Sequence, residues 1–262
     1  MRIIAGEFRS RRLYTPADAE TTRPMPDRVR ESLFGLLRGH CEGAAVFDGF
    51  AGTGSIGLEA VSRGAASCVL VEQDKHIVQL LRHNVEMLGC GDRCEVFAGD
   101  ALGAGALARA PRPLKLAFLD PPYPLIREPL GFRRVMSQLA ALVDLLLPDG
   151  FAVLRTPWPM FLEAAASPGH PDAREVTRKD KRSRVKKGRS WRRYADAMDP
   201  RRAAEHLGDE EADMEDSVAQ PEPEAPRPQP VPADLTLPNA VGPETHEYKT
   251  MALHLYARRV NR

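Results

Sequence analysis

Between residues 44 and 156 the chain alternates apolar runs of strand length with segments of helical period, and few architectures accept that pattern. The runs are AAVFDGF then SIGLEAVSRG, SCVLVEQ then DKHIVQLLRHNVEMLG, CEVFAGD then ALGAGALARA, LKLAFLD then a helix near 131–147, and finally GFAVLRT. Strands that alternate with helices build a mostly parallel sheet covered on both faces. The expectation is a doubly wound α/β domain whose ligands sit at the carboxyl ends of the strands. Upstream, residues 1–16 alternate around Gly6 and read as a short arginine-rich β-hairpin. Residues 26–38, PDRVRESLFGLLR, place Val29, Leu33, Leu36 and Leu37 at helical spacing behind Pro26 and Asp27.

The regular order ends after Pro157. Residues 174–202 carry 13 Lys/Arg against 4 Asp/Glu, whereas residues 203–247 carry one basic residue against 12 acidic ones. Eight prolines stand between Pro221 and Pro243. Such composition does not bury enough apolar surface to offset the loss of chain entropy. Residues 185–243 are therefore expected to be a largely disordered insertion. The segment EYKTMALHLYARR at 247–259 then alternates Met251, Leu253 and Leu255 with Ala252, His254 and Tyr256, which is a strand pattern. A strand this late makes the stretch before it an insertion in a hairpin, with the partner strand expected around 174–184. The division that follows is 1–25 for the amino-terminal hairpin, 26–184 with 244–262 for the α/β domain, and 185–243 for the insertion.

The 262 residues allow one or two domains, and the nearly balanced 37 Lys+Arg and 36 Asp+Glu conceal the segregation just described. No apolar run is long enough to span a membrane, and the start MRIIAGEFRSRRL has no apolar signal region. The four cysteines, Cys41, Cys68, Cys90 and Cys94, form no disulfide framework for a chain of this length. Cys90 and Cys94 have no second pair at zinc-finger spacing, so no metal is expected. The chain reads as a reduced cytoplasmic protein.

Asp48-Gly49-Phe50-Ala51-Gly52-Thr53-Gly54 follows the first strand and opens a helix. Glycines let backbone approach a ligand closely, and a helix amino end offers unpaired N–H groups. Gly52, Gly54 and Gly57 also satisfy G-x-G-x-x-G, which alone is weak. Glu72 ends the second strand, where an acid accepts ribose hydroxyls, and Asp100 ends the third, placed to meet an adenine amino group. The plain alternative is a tight turn with carboxylates capping helices. An acid before the glycines and another on strand three distinguish the set from a dinucleotide fold. The pattern resembles the Rossmann-like methyltransferases that use S-adenosylmethionine, with Asp48, Ala51, Gly52, Thr53, Gly54, Glu72 and Asp100 around the cofactor. That cofactor is cationic at sulfur, which suits an acidic, carbonyl-rich pocket.

Asp120-Pro121-Pro122-Tyr123 ends the fourth strand. Two prolines fix the backbone and remove N–H donors, leaving acceptors: the Asp120 carboxylate and the Pro121 carbonyl. Acceptors suit a substrate that brings N–H groups, such as the exocyclic amine of a base. Hydrogen bonds from that amine stabilise the positive charge that grows on nitrogen during attack. Tyr123 offers a ring on which a flipped base can stack. The bland alternative is a rigid loop with Tyr123 as packing.

Three motifs carry a closer resemblance: R-I-I-A-G with the basic hairpin, T-R-P-M-P-D-R-V-R-E-S-L-F, and D-G-F-A-G-T-G followed by D-P-P-Y. The chain is similar to the bacterial RsmD family, methyltransferases acting on N2 of one guanine in 16S ribosomal RNA, over residues 1 to about 156 and the last strand. The resemblance implies S-adenosylmethionine as cofactor, 16S rRNA or a small-subunit assembly intermediate as partner, and a monomer. It implies that Arg23, Pro24, Asp27 and Arg28 belong to a segment closing over the cofactor, with Arg23 among the cofactor-binding residues. The hairpin's Arg2, Arg9, Arg11 and Arg12, together with Arg28, would then meet RNA. Met25, Gly35 and Gly49 depart from the family's usual Thr, Asn and hydrophobic residue, and Met25 removes a hydroxyl that would reach the cofactor. The basic segment 174–202, with Trp191 and Tyr194, is either a second RNA contact or a solvated linker balanced by the acidic run after it. The readings left open are a DNA adenine-N6 methyltransferase, a nicotinamide oxidoreductase resting only on the glycines, and a non-catalytic RNA-binding protein that has no need of Asp120.

Overall fold

The computed structural model describes residues 1–16, 25–163 and 230–259. After the amino-terminal arm come α1 (Asp27–Leu36), β1 (Ala45–Gly49), α2 (Gly57–Ser62), β2 (Ser67–Glu72), α3 (Lys75–Leu88), β3 (Cys94–Ala98), α4 (Ala104–Arg109) and β4 (Leu114–Leu119). Then follow α5 (Tyr123–Arg127), α6 (Pro129–Asp144), β5 (Leu146–Pro157), β6 (Phe161–Leu162), β7 (Val231–Pro232), β8 (Ala240–Tyr248) and β9 (Met251–Arg258).

Seven strands form one sheet in the order β3-β2-β1-β4-β5-β9-β8. The first five are parallel, and β9 runs antiparallel to both of its neighbours, β5 and β8. The chain winds outward from β1 through β2 to β3, then returns to β4 on the other side of β1. That reversal makes the β1/β4 boundary the topological switch point, where the connections leave in opposite directions and open a crevice.

Alternation along the strands divides the core into two layers. Val46, Leu70, Leu116, Phe118 and Val153 face α1, α2, α3 and the amino-terminal arm. Phe47, Val71, Ala117, Leu119 and Leu154 face the side of α6. A fully buried Leu, Val or Phe contributes about 1.5–3 kcal/mol, and β1 and β4 bury both faces, which is why their sequences read as continuous apolar runs. Helix α3 presents Val78, Leu81, Val85 and Leu88 to this core at one-turn spacing. The Asp74 side chain caps its start by accepting from the His76 and Ile77 N–H groups, and Gly89, at φ 68°, ends it.

The amino-terminal arm is a short form of the expected β-hairpin. Arg2 and Arg12 form an antiparallel bridge, the Ile3 N–H donates to the Arg11 carbonyl at 2.9 Å and the Leu13 N–H to the Met1 carbonyl at 3.1 Å. The arm is also held by α2. Buried Glu59 accepts the Ile4 N–H at 2.6 Å and the Ala5 N–H at 3.1 Å, and the Ser62 hydroxyl accepts the Phe8 N–H at 2.9 Å. Ile3, Phe8 and Leu13 enter the core, which turns the arginines between them outward.

The partner of the last strand is also different. It is β8, not a segment around 174–184, and β8 begins inside the stretch expected to be disordered. The proline-rich composition concealed it. Pro243 stands where the β8–β9 register shifts, between Val241 and Glu244, on an edge strand, and there a missing N–H interrupts no inner ladder. Residues 230–243 therefore belong to the fold, whereas 164–229 lie outside the described residues. Antiparallel pairing of β6 with β7 brings Leu162 against Val231, so the ends of the intervening chain are neighbours. Replacing 165–228 by a turn of about four Gly/Ser residues is expected to leave one cooperative thermal transition, since loop closure cost changes only logarithmically with length. Replacing 185–243 instead removes β7 and the start of β8 and is expected to lower the thermal midpoint markedly; differential scanning calorimetry of the two deletions distinguishes these outcomes.

Candidate active site

Parallel pairing sets the carboxyl ends of β2, β1 and β4 level. Gly49 is in register with Val71 on one side and Leu119 on the other. Glu72 and Asp120, each one residue further, therefore flank the turn that begins at Asp48-Gly49. Three acidic side chains meet at the switch point.

The turn is drawn together by those acids. The Asp48 Oδ2 accepts the Gly57 N–H at 2.8 Å, from the first residue of α2. Gly57 admits no larger side chain, because a Cβ there would stand 2.4 Å from the Leu70 side chain and 2.9 Å from the Cys68 Sγ. Between these points the backbone passes through left-handed conformations at Phe50 (φ 68°) and Gly52 (φ 57°). For Phe50 that conformation is a strained one, held by the surrounding bonds. A Cβ on Gly52 would meet nothing within 4 Å, so this face of the loop is open. The Glu72 Oε2 accepts the Gly52 N–H at 3.0 Å, while its Oε1 accepts the Gln73 and Asp74 N–H groups at 2.8 Å each. The Ala51 N–H donates to the Val71 carbonyl at 2.8 Å. Thr53 is fixed through its carbonyl, which accepts from buried Asn84 at 3.0 Å.

Asp48 is only 1% exposed, and its Oδ1 finds no hydrogen-bond partner among the described residues. Burial pushes its carboxyl up to about 8; the Gly57 N–H opposes the rise, and the negative charges of Asp120 and Glu72 add to it.

Asp120 follows β4, and Pro121 and Pro122 lead directly into α5, whose first residue is Tyr123. Burial raises the Asp120 carboxyl as well, against the pull of the Arg155 guanidinium. Arg155 comes from β5, is buried, and donates from Nε to the Asp120 Oδ1. Its guanidinium carbon stands 5.5 Å from the centre of the Tyr123 ring, and that of Arg127 stands 5.8 Å from the same ring.

The sequence-predicted residues separate into groups. Asp48, Ala51, Gly52, Thr53, Gly54 and Glu72 form one loop system, with Asp120, Pro121, Pro122 and Tyr123 across the crevice. Asp100 lies two residues beyond β3, where its oxygens accept the Leu102 N–H at 2.9 Å and pair with Arg134 at 2.7 Å. Arg23 and Pro24 lie outside the described residues, as does the basic segment with Trp191 and Tyr194. Arg2, Arg9, Arg11, Arg12 and Arg28 are all exposed. Two of them have partners: Arg2 pairs with Asp27 at 3.3 Å and Arg11 donates to the Met87 carbonyl at 3.1 Å. Met25 is buried in the core layer with α1.

Sequence reasoning missed Arg155, Asn84, Glu59 and Arg30. Asn84 accepts the Tyr14 N–H at 2.8 Å and donates to the Tyr14 carbonyl at 3.0 Å, so one buried amide joins the glycine loop to the arm. Fully buried Arg30 donates to the Arg2 carbonyl at 2.6 Å and to Asp27 at 2.9 Å. A polar residue on an apolar helix face signals Glu59 and Asn84 in retrospect; nothing local signals Arg155.

The Asp48 geometry has a consequence for stability. Its carboxyl titrates near 3.8 in an unfolded chain and near 8 in the fold. Between those values the native state holds a proton that the unfolded state has released, so this contribution is complete below pH 3.8 and is lost as pH rises through about 8. Asp48→Asn keeps an acceptor for the Gly57 N–H without the charge. The stability gain of this variant over the parent is expected to widen from about pH 5 to about pH 8.5, as read by thermal unfolding of the ligand-free proteins.

Comparison with known proteins agrees with this arrangement. The family model described as "Conserved hypothetical protein 95" matches residues 1–165. The Bacillus subtilis (strain 168) protein YlbH is 34% identical over 157 residues, covering 58% of this chain and 80% of that one. The Escherichia coli (strain K12) protein named "Ribosomal RNA small subunit methyltransferase D" is 41% identical over 123 residues, 47% of this chain and 60% of its own length. Among solved structures, the Escherichia coli protein yhhF superposes with a TM-score of 0.58 at 24% identity over 100% of this chain and 99% of that one, which speaks for the fold. A Thermus thermophilus protein gives a TM-score of 0.51 at 34% identity, over 62% of this chain and 89% of that one. With the sheet order, the loop and the D-P-P-Y turn all in place, the chain belongs to the RsmD family of Rossmann-like methyltransferases.

Proposed function

We propose that the chain is an S-adenosylmethionine-dependent ribosomal RNA methyltransferase that acts on the exocyclic N2 of a guanine in 16S rRNA. The observation that carries this reading is Asp120. It is a largely buried carboxylate at the end of β4, beside a proline-fixed carbonyl and a half-buried tyrosine, one strand away from the glycine loop. The names of the Escherichia coli and Haemophilus influenzae relatives, both ribosomal RNA small subunit methyltransferase D, support the choice of substrate.

The residues fit a cationic cofactor. The Asp48 Oδ1 is a buried acceptor without a partner among the described residues, and burial keeps much of the Asp48 carboxyl protonated at neutral pH. A positive group beside it would favour the anion. Gly52 leaves the loop face open, and Glu72, whose Oε1 is taken up by two backbone N–H groups, keeps an acceptor position on Oε2 for a ribose hydroxyl. Ala51, Thr53 and Gly54 complete the cradle. When bound, S-adenosylmethionine supplies an electrophilic methyl group on a cationic sulfur.

Asp120 and the Pro121 carbonyl accept the two N–H groups of the amine and hold its nitrogen toward the cofactor loop. As the new N–C bond forms and the methyl–sulfur bond breaks with its electrons left on sulfur, the positive charge passes to that nitrogen, where the Asp120 anion stabilises it until the amine releases a proton to that carboxylate or to solvent. The Tyr123 ring stacks on the base. Arg2, Arg9, Arg11, Arg12 and Arg28 present charge to the RNA backbone from the adjoining arm and helix, an attraction that weakens with salt.

The test is transfer of tritiated methyl from S-adenosylmethionine to small-subunit RNA, naked or in an assembly intermediate, followed by nucleoside mass spectrometry. Label is expected in N2-methylguanosine; label only in N6-methyladenosine of DNA would replace this reading. Asp120→Ala is expected to lower turnover roughly a hundredfold or more while calorimetry shows cofactor affinity within about threefold of the parent. Glu72→Ala is expected to do the reverse and weaken cofactor binding about tenfold or more, since a buried-edge carboxylate that accepts three N–H groups is lost.

A further inference from the structure

The D-P-P-Y carboxylate has an unusual neighbour. An arginine in an inner parallel strand is rarely buried without a partner, because a desolvated charge is costly. Arg155 stands in β5, between the inner strand β4 and antiparallel β9, and is only 7% exposed. Its Nε reaches the Asp120 Oδ1, and its guanidinium carbon lies 5.5 Å from the Tyr123 ring centre. One planar group therefore touches both the acceptor and the stacking ring of the proposed amine site.

We propose that Arg155 is the positioning residue of this site: its guanidinium fixes the plane of the Asp120 carboxylate, keeps it anionic in a buried setting, and sets the tilt of the Tyr123 ring. The inference rests on the amine-methylation reading of the D-P-P-Y turn. A planar fork matches a carboxylate and lies flat against an aromatic face, which an ammonium does not do. Buried ion pairs contribute little net stability against apolar replacements of the same volume. The pair is thus better accounted for by what it does to Asp120 than by what it adds to the fold.

The charges around Asp120 have one sign on each side. From β1, Asp48 faces it as a second acid, with Glu72 of β2 beyond. From α5, Tyr123 lies beside the guanidinium, with Arg127 over the same ring. From β9, apolar Leu253 is in register with Arg155, whereas His254, in register with Leu154 and hydrogen-bonded at 2.9 Å to both Thr156 and Thr245, belongs to the other face of the sheet. Among the described residues, the cation bonded to the carboxylate is Arg155. Burial raises the Asp120 carboxyl and the guanidinium lowers it, so removing Arg155 leaves burial unopposed by it and the carboxyl then rises further.

Two variants separate charge from shape. Arg155→Met removes both, so the acid limb of the kcat/KM–pH profile is expected to move up by about one unit or more, with the loss on the acid side recovering as pH rises. Arg155→Lys keeps the charge and loses the fork, so the limb is expected to stay within about half a unit of the parent while kcat falls about tenfold. Cofactor binding by calorimetry establishes that each variant is folded. Carbon-13 titration of the Asp120 carboxyl, assigned with Asp120→Asn, reads the same ionisation without turnover. A folded Arg155→Met with an unmoved titration, or a folded Arg155→Lys with parental kcat, overturns the proposal. If Arg155→Met does not fold, Arg155→Gln supplies the neutral variant. Failure of the parent to methylate small-subunit RNA would sink the function reading alone, since the carboxyl titration still decides whether Arg155 governs Asp120.

Discussion

Three carboxylates end neighbouring strands of one sheet, and the cost of holding them in a partly desolvated place is the constraint around which the site is arranged. Asp48, Glu72 and Asp120 end β1, β2 and β4, strands that parallel pairing holds side by side. Each is managed differently. Glu72 is offset by three backbone N–H groups, so its charge ties the glycine loop to β2. Asp120 has a guanidinium. Asp48 has a single N–H and otherwise lies buried, which is why its carboxyl rises to about 8. Among the described residues no cation is bonded to Asp48. A ligand that brings a cation supplies what the fold withholds.

The same loop is tied to the amino-terminal arm. Asn84 holds the Thr53 carbonyl with one bond and the Tyr14 backbone with two more, so displacement of the arm is felt at the loop through a single buried amide. Glu59 and Ser62 fasten the other limb of the arm to α2, the helix whose first residue caps Asp48. These bonds form in the interior, where an unsatisfied donor costs about 1–3 kcal/mol. They add to the arm's own cross-chain bonds in fixing a segment whose arginines are exposed.

Much of the fold was legible because alternation over residues 44–156 leaves few options, and β1 through β5 follow it closely. Parallel strands buried on both faces announce themselves as apolar runs. The edge strand β8 did not, since AVGPETHEY reads as a proline-containing polar loop and becomes a strand only when β9 lies beside it. Of the site, Asp48, Gly52, Glu72 and Asp120 were legible because each stands at a strand end or in a glycine turn, where sequence position fixes spatial position. Asp100 was legible in the same way as a residue just past a strand end, but its pair with Arg134, from α6, was not.

Arg155 shows why the remainder was hidden. In GFAVLRT an arginine at the end of an apolar run looks like the point at which a strand emerges into solvent. Its burial depends on β9, which covers it from a position nearly a hundred residues later, with Leu253 in register beside it. Its partner, Asp120, lies 35 residues earlier and is adjacent only because β4 and β5 pair. Neither contact has a local signature. Charge pairing of this kind is decided by topology, so a sequence can display the acid of a site while concealing the cation that keeps it ionised. Burying Arg155 without Asp120 would strand a positive charge, and burying Asp120 without Arg155 would favour its protonated form. The two residues are therefore one unit, and the position of β9 in the sheet is part of the chemistry.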